Sequence, residues 1–222
     1  MIYWNTVETR LKNTLIASMS AEEFKEFRLV GGTALSMHLG HRMSVDIDLF
    51  TDAPYGSIDF KAIEEYLVKN YPYVGGNLNT DPGIGKTYNV GDGLFQSVKI
   101  DVFYSMDPFF QPEVVEENIR MATVEEIIAM KLDIVQRGGR KKDFWDLHEL
   151  LGHYTISEMI ALHAARFEWT HEPDLLRSQF TNFELAEPQE DPICLRDKEW
   201  AFIKLDFIKA LERDRPGPGY TR

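Results

Sequence analysis

Residues 30–50 read VGGTALSMHLGHRMSVDIDLF and contain two structural signals, a glycine turn and a strand with two acids. Residues 27–30 suit a short strand, and the two glycines that follow let the backbone turn sharply because they lack a Cβ. A helix is predicted to begin there, with Thr33 as its N-cap and Gly40 at its C-terminal end. The backbone N–H groups of such a helix start favour the binding of phosphate.

Residues 44–50 alternate polar and apolar side chains, which is the period of a β-strand. Asp46 and Asp48 therefore share one face, about 6.5 to 7 Å apart along the strand. Their carboxylates would repel each other without a cation, and Mg²⁺ is a divalent ion that prefers oxygen ligands. The pattern predicts a site where a metal meets a nucleoside triphosphate. The alternative is a pair of solvated acids on an edge strand.

The segments Gly31-Gly-Thr-Ala-Leu35 and Arg42-x-Ser-x-Asp-Ile-Asp-Leu-Phe50 resemble the first motif of the AbiEii/AbiGii toxin family. This family is a branch of the polymerase-beta-like nucleotidyltransferases, whose general pattern has Gly-Ser on the turn. Threonine after the two glycines is the form usual in this branch. The resemblance implies that Asp46 and Asp48 hold the metal. It implies a nucleotide-binding set of Gly31, Gly32, Thr33, Arg42 and Ser44.

A later strand carries a third candidate acid. Residues 86–90 and 94–104 are predicted to pair as a hairpin joined by a tight turn at Gly91-Asp92-Gly93. Asp101 shares a face with Lys99 and Phe103, and the spacing alone fits a solvated hairpin residue equally well. The family resemblance implies instead that Asp101 is the third acid of the site, as general base or as a further metal ligand.

Two predicted helices carry the remaining candidates. Residues 123–137 begin with a capping-box pattern and form a broad apolar face that only Lys131 interrupts, and a lysine in that position needs a partner. Asp143 and Asp146 lie one turn apart on the next helix, predicted over residues 140–151. The resemblance implies that Lys131 contacts the nucleotide phosphates, that Asp146 completes the catalytic site, and that Asp143 is a supporting acid beside the nucleotide.

A basic run separates these two helices. Residues 137–142 contain four arginines and lysines in six positions. Such a run could bind an RNA backbone or a triphosphate, or it could be an ordinary solvated loop, and the pattern supports both interpretations.

Composition bounds the class of protein. The chain has 222 residues, a formal net charge of −12 and 44% hydrophobic residues, which is enough for a proper core. The negative charge argues against a protein that coats nucleic acid with its whole surface. The single cysteine, Cys194, excludes internal disulfides and C-x-x-C zinc sites. With no long apolar run and no signal-like start, we expect a cytoplasmic protein that does not enter the membrane.

The predicted fold is α/β (α+β), a polymerase-beta-like nucleotidyltransferase core with a small mixed sheet and a C-terminal helical domain. The domain boundaries are predicted as residues 1–106 for the core and residues 107–222 for a helical domain that completes the active site. Further helices are predicted over residues 155–167, 172–180 and 197–213, and Pro216-Gly-Pro-Gly219 is expected to fray.

The predicted function is Mg²⁺-dependent transfer of a nucleoside monophosphate from an NTP to an acceptor hydroxyl. The resemblance implies that the acceptor is RNA, specifically tRNA. It also implies that the protein is the toxin of a toxin–antitoxin or phage-defence system, paired with a cognate antitoxin protein. Two alternatives stay open. One is the same chemistry on a small-molecule or protein acceptor, which suits the acidic net charge. The other is a catalytically silent NTP-binding module, against which the intact acids and Lys131 argue.

Overall fold

The computed structural model describes residues 1–214. These residues divide into two compact units, Met1–Val124 and a second unit that begins at Glu125. The expected fraying of residues 216–219 lies outside the described residues. The unit boundary falls later in the chain than the predicted one near residue 106. The reason is that a hairpin over residues 114–121 belongs to the first unit's sheet and not to the helices.

The first unit is a mixed seven-stranded sheet with helices. The strand order is β3-β4-β5-β2-β1-β7-β6, so the sheet is larger than the small one predicted. Its strands are β1 (Arg28–Leu29), β2 (Asp46–Thr51), β3 (Tyr73–Gly76), β4 (Gly85–Gly93), β5 (Gln96–Tyr104), β6 (Val114–Glu116) and β7 (Ile119–Met121). Its α-helices are α1 (Thr9–Ser20), α2 (Gly31–Leu39) and α3 (Phe60–Asn70), with 3₁₀ turns at Trp4–Thr6 and Glu22–Phe24.

Strands β2 and β5 form the centre of this sheet, and their side chains give it two different faces. The strands pair in parallel, with Ile47 opposite Ile100 and Leu49 opposite Val102. All four of these side chains are fully buried. Because side chains alternate along a strand, the residues between them point to the other face, where the candidate acids lie.

The glycine turn differs from prediction at its helix start. Helix α2 begins at Gly31 with Val30 as its N-cap, so Thr33 is a residue of the first turn and not the cap. Gly31 has a φ of +68°, which glycine adopts without strain. The C-terminal end is as predicted, since Gly40 has left-handed φ and ψ of 70° and 25°.

The β4–β5 hairpin turns later than predicted. Strand β4 extends through Gly91, Asp92 and Gly93, and the connection is at residues 94–95. The register shifts between Gly91 and Gly93, and a Cβ on Gly91 would lie 2.0 Å from the carbonyl oxygen of Gln96. These glycines therefore permit a bulge within the strand. A glycine pair of this kind is typical of a bulge as well as of a turn, so the sequence pattern did not distinguish the two.

The second unit is helical in its described residues. Its helices are α4 (Val124–Gln136), α5 (Lys141–Leu150), α6 (Ile156–Arg166), α7 (Pro173–Gln179) and α8 (Trp200–Arg213). Phe144 of α5 is fully buried and packs against the rings of Phe183, Trp200 and Phe207 at centroid distances of 5.0 to 6.2 Å. Trp200 and Phe207 of the last helix are thus part of the core, whereas Phe202 is exposed. Across residues 1–214, no helix combines the length and apolarity needed to cross a bilayer.

Arg120 of β7 provides a test of how the first unit is held together. Its guanidinium donates to the carbonyl oxygens of Phe27, Met19 and Phe24 at 2.9, 3.0 and 2.8 Å. We expect Arg120→Ala to lower the free energy of unfolding by about 2 to 3 kcal/mol in urea denaturation, because three carbonyls lose a charged donor.

Arg10→Ala is the matched control for this prediction. Arg10 pairs with Asp92 at 3.5 Å among the described residues, and the two side chains are 39% and 66% exposed, so we expect a change under about 0.5 kcal/mol. Equal stabilities for the two variants would contradict the role assigned to Arg120.

Candidate active site

Four charged side chains form a compact group on one face of β2 and β5. In the parallel register, Asp46 lies beside Lys99 and Asp48 lies beside Asp101. Neighbouring strands are about 4.8 Å apart, so the four residues occupy the corners of a small rectangle. The structure therefore places Asp101 beside the Asp46 and Asp48 pair, and it places a lysine among the three acids. We call these four residues the acid rectangle.

Asp101 has a defined partner on each oxygen. Its Oδ1 accepts a hydrogen bond from Thr87 Oγ1 at 2.6 Å, and its Oδ2 accepts one from Lys99 Nζ at 2.5 Å. Thr87 lies opposite Asp101 on β4. The carboxylate is thus held by one residue of the adjacent strand β4 and one residue of its own strand β5, which fixes its orientation.

The neighbouring acids change the pKa of Lys99. Burial alone lowers the pKa of Lys99, but its hydrogen bond to Asp101 and the charges of Asp101, Asp46 and Asp48 outweigh that effect and raise the pKa above its ordinary value. Lys99 therefore stays protonated at neutral pH and balances part of the negative charge of the acid rectangle.

The glycine turn lies directly against one of these acids. The Val30 N–H donates to the Asp48 carbonyl oxygen at 2.8 Å, which holds the turn beside β2. A Cβ added to Gly31 would lie only 2.5 Å from Asp48 Oδ2. The start of helix α2 and the acid rectangle therefore meet at Gly31, the arrangement required for a phosphate bound next to carboxylates.

Thr33 and Ser44 have structural partners. Both side chains are buried, and their hydroxyl oxygens are 2.8 Å apart. Thr33 also donates to the backbone carbonyl of Asp46. In this arrangement the two hydroxyls connect α2 to the start of β2 and so position the glycine turn beside the strand.

The buried side chain of Arg42 explains why position 32 requires a glycine. The Arg42 side chain is only 3% exposed, and its Nη1 donates to the Met43 carbonyl at 2.9 Å. A Cβ on Gly32 would collide with Nη2 of the same guanidinium. The second glycine of the motif thus makes room for a buried arginine, which brings positive charge next to the turn.

The acid rectangle has the donor type for a hard divalent cation, since Asp46 and Asp48 are half-buried carboxylates on a shared face. These two residues fit such an ion. Within residues 1–214, however, no group of three His, Cys, Asp or Glu side chains is arranged to hold a metal. The predicted third ligand, Asp101, is instead engaged by Thr87 and Lys99.

A second cluster lies in the helical unit. The Lys131 ammonium contacts Asp143 Oδ1 at 2.7 Å and Asp146 Oδ2 at 2.6 Å, and all three side chains are at most 4% exposed. Lys131 is on α4 and both acids are on α5, so this triad joins the two helices. The sequence indicated that Lys131 needs a partner, and the structure supplies both predicted acids.

Arg140 adds a second cation to Asp143. Its Nε lies 2.8 Å from Asp143 Oδ2, and the backbone N–H of Arg140 donates to the same oxygen. Burial raises the pKa of Asp143, but the charges of Lys131 and Arg140 outweigh burial and hold the pKa below its ordinary value. Asp143 is therefore ionised at neutral pH, and it also caps helix α5.

The basic run between these helices is largely paired with acids. Arg137 contacts Asp133 at 2.6 Å, Arg140 contacts Asp143, and the buried Lys141 contacts Asp191 at 3.0 Å. This pairing favours the structural interpretation of the run over an open patch for an RNA backbone.

The sequence interpretation missed Lys99 and Thr87 as members of the site. A signal for Lys99 was present, since residues two apart on a strand share a face and Lys99 precedes Asp101 by two. Thr87 gave no such signal, because its position depends on the register between β4 and β5.

A glycine turn beside two strand acids, on a mixed sheet of this kind, defines the nucleotidyltransferase class. The model of the family described as "Nucleotidyl transferase AbiEii toxin, Type IV TA system" matches residues 15–217. The chain therefore belongs to the AbiEii family of nucleotidyltransferase toxins of type IV toxin–antitoxin systems.

Solved structures of other proteins share this fold. JHP933 from Helicobacter pylori has a TM-score of 0.58 and 20% identity, with 93% of this chain and 91% of that chain covered. MenT4, the nucleotidyltransferase toxin Rv2826c from Mycobacterium tuberculosis, has a TM-score of 0.57 and 14% identity, with coverages of 91% and 80%. At these identities the likeness concerns the fold. The uncharacterized protein aq_aa25 of Aquifex aeolicus is 30% identical over 128 residues, which are 57% of this chain and 58% of that protein's length.

Gly31→Ala tests the contact between the turn and Asp48. The new Cβ would strain a left-handed residue and displace the Asp48 carboxylate, so we expect metal-dependent NTP binding in equilibrium dialysis to weaken by about tenfold or more. Gly83→Ala is the control, because Gly83 also has a positive φ, +52°, but no atom lies within 4 Å of its added Cβ. Equal NTP affinities in the two variants would contradict the role assigned to the contact between Gly31 and Asp48.

Lys131→Met tests the buried triad. Because the substitution leaves two buried carboxylates without their lysine, we expect the free energy of unfolding at pH 7 to fall by about 3 to 5 kcal/mol. In the native protein, Asp143 has a lowered pKa and stabilises the fold above pH of about 4; this contribution is lost as the pH falls through the lowered pKa.

Lys131→Met should respond differently to pH. The charge of Lys131 is the largest contribution that lowers the pKa of Asp143, so without it the effect of burial has more weight, the pKa rises, and protonation at lower pH restores part of the lost stability. Urea unfolding at pH 7 and pH 5 should therefore show a smaller deficit at pH 5. Lys209→Met, which removes an exposed pair with Asp206, should show no deficit at either pH. A deficit that is the same at both pH values would contradict the prediction.

Proposed function

We propose that this protein transfers a nucleoside monophosphate from an NTP to an acceptor hydroxyl, with Mg²⁺ as the metal and RNA as the acceptor. The observation that carries the proposal is the convergence of Asp46, Asp48 and Asp101 on one sheet face beside Gly31. Backbone N–H groups at the start of α2 and carboxylates within the same small region supply both halves of a phosphate and metal site.

In the proposed reaction, the acceptor hydroxyl oxygen attacks the α-phosphorus of the NTP. A bond forms between that oxygen and phosphorus, the bond from the α-phosphorus to the bridging oxygen breaks, and pyrophosphate leaves. Asp101 takes the proton of the attacking hydroxyl as general base, or serves as a further metal ligand. Thr87 orients the Asp101 carboxylate through its hydrogen bond to Oδ1.

Asp46 and Asp48 would hold the metal. Bound Mg²⁺ supplies Lewis-acid neutralisation of the phosphate charge that develops during transfer. Gly31 and Gly32 present the backbone of the α2 start to the phosphates, and Arg42 adds positive charge behind the turn. Thr33 and Ser44 hold this backbone in place through their mutual hydrogen bond.

Lys131 and Asp146 are proposed to serve the same reaction, Lys131 at the nucleotide phosphates and Asp146 as the acid that orients it. The 2.6 Å contact between the two side chains supports the orienting role. A phosphate that binds Lys131 must compete with Asp143 and Asp146 for its ammonium. Asp143 supports the site by fixing the start of α5.

The proposed biological setting follows from the family. As a member of a toxin family of type IV toxin–antitoxin systems, the protein is proposed to modify RNA, specifically tRNA, and to be paired with a separately encoded antitoxin. The proposal that the acceptor is RNA rests on what the family resemblance implies. The basic run at residues 137–142 adds no support, since neighbouring acids largely neutralise it.

A small-molecule acceptor is the second candidate. The formal net charge of −12 and the acid pairing of the basic run suit a small cationic acceptor better than a polyanion. The two candidates differ in salt dependence, since RNA binding weakens steeply with added salt and the binding of a small acceptor weakens only slightly.

Incubation with total RNA, Mg²⁺ and each α-³²P-labelled NTP tests the proposal. We expect label on RNA with the native protein and a loss of at least about 100-fold in Asp46→Ala, because that variant lacks one of two metal-binding carboxylates. The NTP that gives label identifies the transferred base.

Asp92→Ala is the matched control, since Asp92 is an exposed aspartate of the same sheet, outside the acid rectangle. It should label RNA as the native protein does. NTP binding without label on RNA, but with pyrophosphate release in the presence of a small acceptor, would replace the RNA proposal with the second candidate. NTP binding without any pyrophosphate release would identify a silent binding module.

A further inference from the structure

Lys99 stands out among the lysines of the first unit because its ammonium lies within a group of carboxylates that the proposed reaction needs. It contacts Asp101 Oδ2 at 2.5 Å, and it lies opposite Asp46 in the β2–β5 register. The residue is on the central strand β5, so the position of its backbone is fixed by pairing on both sides.

The surroundings of Lys99 leave its side chain able to move. Its side chain is 42% exposed, in contrast to 7% for Lys86, which is paired with Glu64 on the opposite face of the sheet. A lysine has a flexible four-carbon stem and a strongly hydrated ammonium, so moving an exposed one into water costs little. Lys86, and likewise Lys131 with 4% exposure, would have to leave buried carboxylates uncompensated.

The contacts of Asp101 mean that the position of Lys99 affects whether a cation can bind this carboxylate. One Asp101 oxygen accepts from Thr87 and the other from Lys99, so a cation that is to use this carboxylate must displace a hydrogen-bond donor. The neutral Thr87 hydroxyl can remain beside a metal-bound carboxylate, but an ammonium at 2.5 Å repels a divalent cation at the same oxygen.

We propose that Lys99 is an internal counter-cation that holds Asp101 in the metal-free protein and must leave it before a divalent cation can use that carboxylate. This inference rests on the proposed function, because it assumes that the acid rectangle is the metal site. Lys99 is then a positioning residue. It stabilises the three acids before the metal binds, and its departure makes Asp101 available as the third acid.

Metal affinity in the absence of nucleotide tests this role. Free Mn²⁺ is measured by electron paramagnetic resonance during titration of the native protein and of Lys99→Met, with binding that persists in Asp46→Asn subtracted. We expect Lys99→Met to bind Mn²⁺ about tenfold more tightly, because it removes the competing positive charge. Lys99→Arg keeps the charge and should bind Mn²⁺ as the native protein does.

Two further variants tie the effect to this site. In Lys99→Met/Asp101→Asn the gain in affinity should disappear, since the gain requires the Asp101 carboxylate as a ligand. Lys61→Met is the control for a general loss of one positive charge, because Lys61 is 79% exposed and pairs only with Glu65 on α3. Its Mn²⁺ affinity should equal that of the native protein.

The outcomes separate this inference from the proposed function. Equal Mn²⁺ affinity in the native protein and Lys99→Met, with binding lost in Asp46→Asn, would overturn the role of Lys99 and leave the metal site intact. A gain that survives in the Asp101→Asn double variant would overturn it as well. Absence of Asp46-dependent Mn²⁺ binding in every variant would overturn both the metal site and the inference built on it.

Discussion

Parallel pairing of β2 with β5 in a single register governs both the core and the candidate site of the first unit. The register places Ile47 and Leu49 beside apolar partners on one face and Asp46 and Asp48 beside Lys99 and Asp101 on the other. A slip of one residue would bury the acids and expose the aliphatic side chains. The hydrophobic core therefore enforces the geometry of the acid rectangle.

Charged residues are buried in this protein at several places, and each has a partner. Lys86 pairs with Glu64, Lys131 with Asp143 and Asp146, and Arg166 with Glu126 at 2.6 Å. Such pairs contribute little net stability compared with apolar residues, but the loss of one member is costly. They act as constraints on which helices and strands can pack together. Lys99 differs because its side chain is half-exposed, so it can leave Asp101 and another cation can take its place.

The balance of charge at the surface bears on the acceptor. A chain of net charge −12 could still bind RNA through a local basic patch, but Arg137, Arg140 and Lys141 of the basic run already pair with neighbouring acids. One of them, Arg140, organises the start of α5, where its backbone N–H and its guanidinium donate to the carboxylate of Asp143. Any RNA contact by these residues would have to exchange intramolecular ion pairs for phosphate contacts, which makes binding sensitive to salt.

The sequence by itself determined the alternating strand of Asp46 and Asp48, the glycine turn before it, and the requirement that Lys131 have an acidic partner. These features are local, since they follow from the periods of strand and helix and from the cost of burying an unpaired charge. Tertiary structure alone decided the sheet's extent through β6 and β7, the Thr87 contact to Asp101, and the burial of Thr33 and Ser44. Each of these depends on which strands become neighbours and in which register. That choice is made by packing between segments distant in sequence, and no local pattern encodes it.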